Sequence, residues 1–188
     1  VFIAGADTGI GQYVAQVLCA SPDIELVETP AVAVEEAICC IDEGADAAGI
    51  REMAQMVERL APKHVAVISS WQVYPRGTDE TAFENSRVSP DTHLGRLCAE
   101  AEDVVGGAAR RAGAVLTVLR PAMMFGTGIG GEAVEMFRQV ISGRYFSLRG
   151  VRTLRSTVCA LDVARAAVAL LGTEGVYNVS DGREHTLV

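Results

Sequence analysis

Three glycines near the amino terminus have the type and spacing that can hold a phosphate. Gly5, Gly9 and Gly11 occur in the segment AGADTGIG, after a short apolar run and before a helical pattern. Glycine has no Cβ, so backbone amides and the start of a helix can approach a pyrophosphate closely. We therefore predict a dinucleotide site whose contacts are Gly5, Thr8, Gly9, Ile10 and Gly11. The spacing is G-x-x-x-G-x-G rather than the commoner G-x-G-x-x-G, and the alternative is a tight turn that binds no ligand.

A carboxylate further along the chain bears on which dinucleotide is bound. Glu28 ends the apolar run IELVE and stands 23 positions after Gly5 (28 − 5), close to the interval of about 20 expected for an acid on the adenosine ribose. Such an acid favours NAD over NADP, whose 2′-phosphate it would repel, and the glycine loop contains no arginine that would accept that phosphate. The alternative is a glutamate that faces solvent at a strand end.

The elements that position these residues alternate along the sequence. Apolar runs typical of strands lie at residues 1–5, 24–28, 36–42, 63–70, 114–121 and 175–182. Helical patterns lie at residues 9–21, 48–61, 92–113 and 160–172. This alternation predicts an α/β fold of Rossmann type, a doubly wound, mostly parallel sheet with helices on both faces. The length of 188 residues predicts one domain, residues 1–188.

Composition excludes several classes of function. The formal net charge of −8 argues against nucleic acid as a partner, and no run approaches the roughly 20 apolar residues that a membrane span requires. The five cysteines match no zinc spacing and predict free thiols in a reducing, cytoplasmic setting. The sequence starts inside a strand without methionine and stops as a new segment begins, so we expect further residues at its ends.

Several stretches carry a resemblance to a known family. They are GADTGIG, VISSWQVYP, SPDTHLGRLCAEAE, LRPAMMFGTG, RSTVCALDVARAAVALL and GVYNVSDG. In this order they resemble the landmarks of the extended short-chain dehydrogenase/reductases, the family of NAD-dependent nucleotide-sugar epimerases and dehydratases. The resemblance covers nearly the whole chain and implies NAD as cofactor and a small-molecule substrate of the nucleotide-sugar class. It also implies a homodimer formed through helices 48–61 and 97–113, and a reduced substrate-binding part at residues 123–157 and 175–188.

The active sites of that family need a Ser or Thr, a Tyr and a Lys around the nicotinamide. The tyrosine exchanges a proton with a sugar hydroxyl while hydride moves to or from the cofactor, and the lysine lowers the pKa of the tyrosine. Ser70 stands where the family has its Ser or Thr, four residues before Tyr74. The resemblance thus implies a catalytic role for Ser70, and the alternative is a strand-end serine in a polar loop.

The family's tyrosine and lysine are both replaced in this chain. Its pattern P-x-x-Y-x-x-x-K-x-x-E corresponds to residues 90–100, where His93 takes the place of the tyrosine and Leu97 that of the lysine. One interpretation is loss of oxidoreductase activity, which leaves a nucleotide-holding sensor or assembly module. Another is a changed mechanism, because a histidine with an ordinary pKa of about 6.5 exchanges protons at neutral pH without a neighbouring cation. A third is that His93 only caps or packs the helix start.

Two further residues complete the predicted site. The resemblance implies that Pro121, at the end of a strand, lies beside the nicotinamide, where the segment RPAMMFGTG lines cofactor and substrate. It also implies that Arg155 binds the diphosphate of the substrate, a task that suits the bidentate guanidinium. The alternative for Arg155 is a surface arginine in a basic cluster.

Overall fold

A computed structural model describes residues 1–27, 33–77, 81–144 and 153–187. The strands are β1 Phe2–Ala4, β2 Glu36–Cys40, β3 His64–Ile68, β4 Val115–Pro121, β5 Met123–Phe125, β6 Thr153–Cys159, β7 Gly175–Val179 and β8 Glu184–Leu187. The helices are α1 Gly9–Cys19, α2 Ala47–Leu60, α3 His93–Arg111, α4 Glu132–Ile141 and α5 Ala160–Leu170, with a single 3-10 turn at Trp71–Val73. None of these helices is long and apolar enough to cross a membrane.

The main sheet has five strands in the order β1-β2-β3-β4-β7, and every neighbouring pair is parallel. Side chains alternate between its two faces, so that Val65 and Val67 of β3 pack on one side while Ala66 and Ile68 pack on the other. Helices α2 and α3 cover the first face, and α1 and α5 cover the second. The predicted α/β fold with a mostly parallel, doubly covered sheet is confirmed.

Helices α1, α2 and α3 begin in the same way. The side chains of Thr8, Asp46 and Thr92 each accept a hydrogen bond from the backbone amide of the glycine three residues later. A short oxygen-bearing side chain at this position satisfies one of the four amides that a helix start leaves without an intrahelical partner. Two of these starts, those of α1 and α3, lie beside the candidate site.

The prediction of a strand at residues 24–28 is wrong for the residues that the structure describes. Only Val27 forms a bridge, with Phe2 of β1, and the amino group of Val1 donates to the carbonyl of Glu25 at 2.7 Å. Strand β1 has three residues, and only its first residue, Phe2, pairs with Val27, so the segment before Val27 does not form a strand beside β1. Glu28 itself, the predicted ribose contact, lies outside the described residues.

A second, three-stranded sheet and one helix were absent from the sequence prediction. β5 pairs in parallel with β6, and β6 pairs antiparallel with β8. Helix α4 follows β5, and β5, α4 and β8 fall within the segments for which we expected a reduced substrate-binding part, whereas β6 runs two residues past the end of the first segment. This small sheet begins directly after β4, at the carboxyl edge of the main sheet, where the candidate site lies.

Candidate functional site

The glycine loop is a tight connection between β1 and α1. Gly5 has a φ of +79°, and a Cβ on it would lie 2.6 Å from the carbonyl oxygen of Cys40. A Cβ on Gly11 would lie 2.0 Å from the carbonyl oxygen of Gly5, closer than any side chain tolerates. Both glycines are therefore required by the packing of the turn itself, whether or not a ligand is bound.

Thr8 fixes this turn and leaves two amides open. Its hydroxyl donates to the carbonyl of Gly5 at 2.7 Å and accepts from the amide of Gly11 at 2.9 Å. The amides of Gly9 and Ile10, at the first two helical positions, have no intrahelical acceptor. Both residues line the cavity described below. These two amides and the positive end of the helix dipole can bind an anion there.

Gly9 is approached by another segment of the protein. A Cβ at this position would lie 2.5 Å from the carbonyl oxygen of Gly128 and 3.3 Å from the side chain of Ile129. Ile129 is buried and packs in the apolar cluster that contains Ile10. The loop between β5 and α4 thus lies against the start of α1 and forms one wall of the cavity.

A cavity of about 130 Å³ lies at the carboxyl edge of the main sheet. It is bounded by the start of α1, the Ser69–Gln72 segment after β3, Leu94 of α3, and the residues that follow β2 and β4. Ligand pockets usually measure roughly 300–1,000 Å³, so this cavity accommodates one end of a dinucleotide rather than all of it. Its position at the carboxyl ends of parallel strands is where ligands bind in open α/β sheets.

Ser70 is the predicted catalytic residue that lies in the cavity. Its side chain accepts a hydrogen bond from the amide of Gln72 at 3.2 Å and so begins the 3-10 turn. Serine 70 is nearly buried, and among the described residues no acceptor takes the proton of its hydroxyl. The hydroxyl is therefore available to donate a hydrogen bond to a ligand in the cavity.

His93 does not line the cavity that contains Ser70. His93 is exposed at the first position of α3, and it is its neighbour Leu94 that lines the cavity. Leu97 is buried in the apolar core under α3. The stripe of α3 that points to the site continues from Leu94 through Cys98 to Glu102, at the spacing of one helical turn.

The remaining predicted residues lie around the cavity rather than in its lining. Pro121 is the last residue of β4 and is buried, and the three residues that follow it line the cavity. Arg155 is half-buried in β6, with its guanidinium carbon 5.9 Å from the centre of the Trp71 ring. Trp71 is itself a lining residue, so Arg155 stands one side chain away from the cavity.

Beneath the cavity lies a buried ion pair that the sequence prediction missed. Arg120 donates to both carboxylate oxygens of Glu102, at 3.0 and 2.6 Å, and to the hydroxyl of Tyr74 at 2.9 Å. Burial lowers the pKa of Arg120, but the bonds to Glu102 and Tyr74 raise it by more, and the net pKa lies above its ordinary range. Ser69 donates to Glu102 at 2.6 Å, which ties the ion pair to the segment that carries Ser70.

This ion pair leaves a trace in the sequence. Arg120 is a charged residue at the end of the apolar run AVLTVL, and Glu102 lies eight residues after Leu94 on the same helical stripe. A charged residue in a buried strand needs a partner of opposite charge. Glu102 is the carboxylate on the site-facing stripe of α3 that supplies this partner.

No protein-family model matches the sequence, and no curated protein matches it significantly. Solved structures do match, over 98% of this chain. MoeE5 in complex with UDP-glucose and NAD has a TM-score of 0.78 at 19% identity, with 77% of its chain covered. The UDP-N-acetylglucosamine 4-epimerase from Bacillus cereus has a TM-score of 0.74 at 17% identity, with 79% covered. RMD from Pseudomonas aeruginosa, complexed with NADPH, has a TM-score of 0.72 at 17% identity, with 79% covered. The chain thus has the Rossmann-type α/β fold of these three structures.

Proposed function

We propose that this protein binds NAD(H) in the cavity at the start of α1. The observation that carries the proposal is the pair of amides of Gly9 and Ile10, which have no intrahelical acceptor and line the cavity. Gly5, Gly11 and Thr8 hold the turn that presents them. The NAD and NADPH bound by two of the similar structures support a nicotinamide nucleotide as the ligand.

The residues around the cavity fit the nicotinamide end of such a cofactor. Met123 and Met124 supply apolar, adaptable surface after Pro121, and Ser70 supplies a hydroxyl donor. A bound nicotinamide would supply hydride chemistry. This chain's own residues would hold the ring against the methionines and exclude water from it.

We propose NAD rather than NADP as the cofactor. The glycine loop, residues 4–11, carries Asp7 and no lysine or arginine that would pair with a 2′-phosphate. Asp42 and Glu43 lie at the cavity as well and add negative charge. We retain Glu28 as the proposed contact to the adenosine ribose.

We propose a binding role without oxidoreductase turnover as the first candidate function, that of a sensor or assembly module. Proton transfer needs an ionisable group within hydrogen-bond reach of the reacting atom. Leu94 occupies the face of α3 that lines the cavity, and His93 is exposed. Leu97 is buried and offers neither a charge nor a hydroxyl partner.

The second candidate is an enzyme of nucleotide-sugar oxidoreduction or epimerisation, with Ser70 and His93 in proton transfer. The hydroxyl of Ser70 at the cavity favours it. Turnover of a nucleotide sugar that His93→Phe abolishes, with NAD(H) binding intact, would establish this candidate. Equal turnover in His93→Phe and the wild type would exclude His93 from proton transfer, and absence of turnover in both would leave the binding role.

Calorimetric titration of the protein with NAD, NADH, NADP and NADPH tests the proposed function. We expect saturable binding of NAD or NADH and weaker binding of the 2′-phosphorylated pair. Ser70→Ala removes one hydrogen bond of about 1 kcal/mol and should weaken binding about fivefold. His93→Phe is the matched control, because this exposed side chain does not line the cavity. Absence of binding for all four nucleotides would overturn the proposal.

We also propose a homodimer formed through the outer faces of α2 and α3. The two helices pack side by side on one face of the main sheet, so their exposed sides form a single surface. Light scattering after size exclusion should give twice the mass of the chain. A monomer at every concentration would exclude this assembly.

A further inference from the structure

One wall of the cavity, the Ser69–Gln72 segment, is fixed to α3 at both of its ends. Ser69 donates to Glu102 at 2.6 Å, and Glu102 lies in the middle of that helix. Gln72 accepts a hydrogen bond of 2.7 Å from the hydroxyl of Thr92, which caps the start of the same helix. The contacts at each end therefore hold this wall in place.

The opposite wall is held less firmly. It consists of the loop between β5 and α4 and of Glu132, the first residue of α4. Ile129 anchors the loop in the apolar cluster, but among residues 132–141 of α4 Ala133 is the only buried one. An element with few buried side chains opens at a lower free energy than the core does. The wall that carries Glu132 is therefore the one that can move.

An ion pair joins the two walls at the outer edge of the cavity. The guanidinium of Arg76 pairs with the carboxylate of Glu132, and its carbon lies 5.3 Å from the centre of the Trp71 ring. Trp71 and Glu132 line the cavity from opposite walls, so this guanidinium connects them. Both side chains of the pair are 34% exposed, which places it at the surface rather than in the floor of the cavity.

We propose that the Arg76–Glu132 pair is a latch that controls how fast the nicotinamide end of the dinucleotide enters and leaves the cavity. The wall that carries Glu132 moves outward when the pair breaks and returns when it forms again. With the pair formed, the cavity of about 130 Å³ still accommodates one end of a dinucleotide, so the latch closes over the bound ligand as well. A lid that closes in both states changes the rates of binding and release more than the affinity.

The latch and simple electrostatic attraction predict opposite effects for Arg76. A positive charge near a binding site speeds the association of an anion such as NADH, so attraction alone predicts slower association in Arg76→Gln. The charge of Arg76, however, is balanced by Glu132, and its Nε lies 3.8 Å from the carboxylate of Asp91. We therefore expect Arg76→Gln to speed association, because its main effect is to release the wall.

Stopped-flow mixing with NADH, followed through the fluorescence of the single tryptophan, measures both rates. A partly exposed ion pair changes an equilibrium about two- to fivefold, so Arg76→Gln and Glu132→Gln should each speed association and release by about this factor, with Kd changed less than about twofold. The double variant should add nothing further, because both single changes break the same contact.

Glu135→Gln is the matched control. It removes a second glutamate from the first turn of α4, but the partner of Glu135 is Arg138, which lies on the same helix at 3.0 Å. This change therefore alters the charge and the start of α4 without releasing the wall. Both rates in this variant should equal those of the wild type.

A measurement without nucleotide separates this inference from the proposed function, on which it rests for the identity of the ligand. Acrylamide is a neutral quencher, and it reaches Trp71 more often when the wall is open. Its Stern–Volmer constant should rise in Glu132→Gln and keep the wild-type value in Glu135→Gln. Glu132→Gln is preferred here to Arg76→Gln, because Arg76 itself covers part of the indole.

The outcomes distinguish the latch from the binding of the dinucleotide. Equal acrylamide quenching in Glu132→Gln and the wild type would overturn the inference whether or not NADH binds. Slower association of NADH in Arg76→Gln, or equal acceleration in Glu132→Gln and Glu135→Gln, would overturn it as well. Stronger quenching in Glu132→Gln alone, in a protein that binds no nicotinamide nucleotide, would support the latch and refute the proposed function.

Discussion

Replacement of Glu102 by glutamine should destabilise the protein far more than the same change at an exposed ion pair. The side chains of Arg120 and Glu102 are only 6% and 11% exposed, and two hydrogen bonds of 3.0 and 2.6 Å join them. Glu102→Gln leaves the Arg120 charge buried without its counterion. Removal of one partner of a buried pair costs about 3–5 kcal/mol of stability. The glutamine keeps one oxygen that can accept a hydrogen bond from Arg120, so we expect a loss near the lower end of this range, about 3 kcal/mol.

The control is Glu58→Gln, which breaks an arginine–glutamate pair of similar length at the surface. Arg111 donates to Glu58 at 2.6 Å, but the two side chains are 65% and 45% exposed. Water screens such a pair, so its loss should cost about 0.2–1 kcal/mol. Urea unfolding of both variants and the wild type, with a common dependence on denaturant, measures the difference.

The result that refutes this reasoning is a loss below about 1 kcal/mol for Glu102→Gln. If that variant does not fold, the double variant Glu102→Leu with Arg120→Met keeps the prediction testable. It removes both charges and should be more stable than Glu102→Gln, because no uncompensated charge remains in the interior. A double variant as unstable as the single one would contradict the electrostatic account.

Three further predictions concern other parts of the chain. Gly9→Ala should destabilise the ligand-free protein by about 1–3 kcal/mol, because its Cβ would lie 2.5 Å from the carbonyl oxygen of Gly128. Unchanged urea unfolding would show that the loop between β5 and α4 moves away from Gly9 at no cost in stability. In thiol labelling of the folded protein, exposed Cys19 should react before the buried Cys39, Cys40 and Cys98. Burial raises the pKa of these three thiols, to about 12 for Cys39 and Cys98, and should protect them until the protein unfolds. Labelling of all four thiols at equal rates would contradict this prediction. The pKa of Glu84 is lowered, chiefly by the hydrogen bond from the amide of Asn178, so this carboxylate stabilises the fold above its unfolded pKa, and that stability is lost as the pH falls through its folded pKa. Glu84→Gln should therefore flatten the loss of stability at acidic pH, and identical pH profiles for the variant and the wild type would refute this.

The layered fold could be predicted from the sequence because its strands and helices bury strongly apolar faces. The run HVAVI became β3 with side chains alternating between the two apolar clusters, as its pattern predicts. The second sheet could not be predicted in the same way. β5 has three residues, and its pairing with β6 joins segments about 30 residues apart, so local patterns carry no signal for it.

The glycine loop and His93 remain predictions for the site, and the structure places Gly9, Ile10 and Leu94, but not His93, in the lining of the cavity. The family pattern P-x-x-Y, counted from Pro90, places His93 at the position of the proton donor. In a helix a shift of one residue turns a side chain by about 100° around the axis. That rotation separates an exposed His93 from a Leu94 that lines the cavity. The helical stripe that ends at Glu102 gives the register that the linear pattern does not.

Titration with NADH, followed through the fluorescence of Trp71, is the most direct test of dinucleotide binding in the cavity at the start of α1. The one tryptophan of the chain lines the cavity, so a reduced nicotinamide bound there accepts its excitation energy. We predict saturable quenching that excess NAD reverses and that His93→Phe leaves unchanged. Emission that falls only in proportion to the NADH added, with no saturation and no competition by NAD, would contradict binding of the dinucleotide in this cavity.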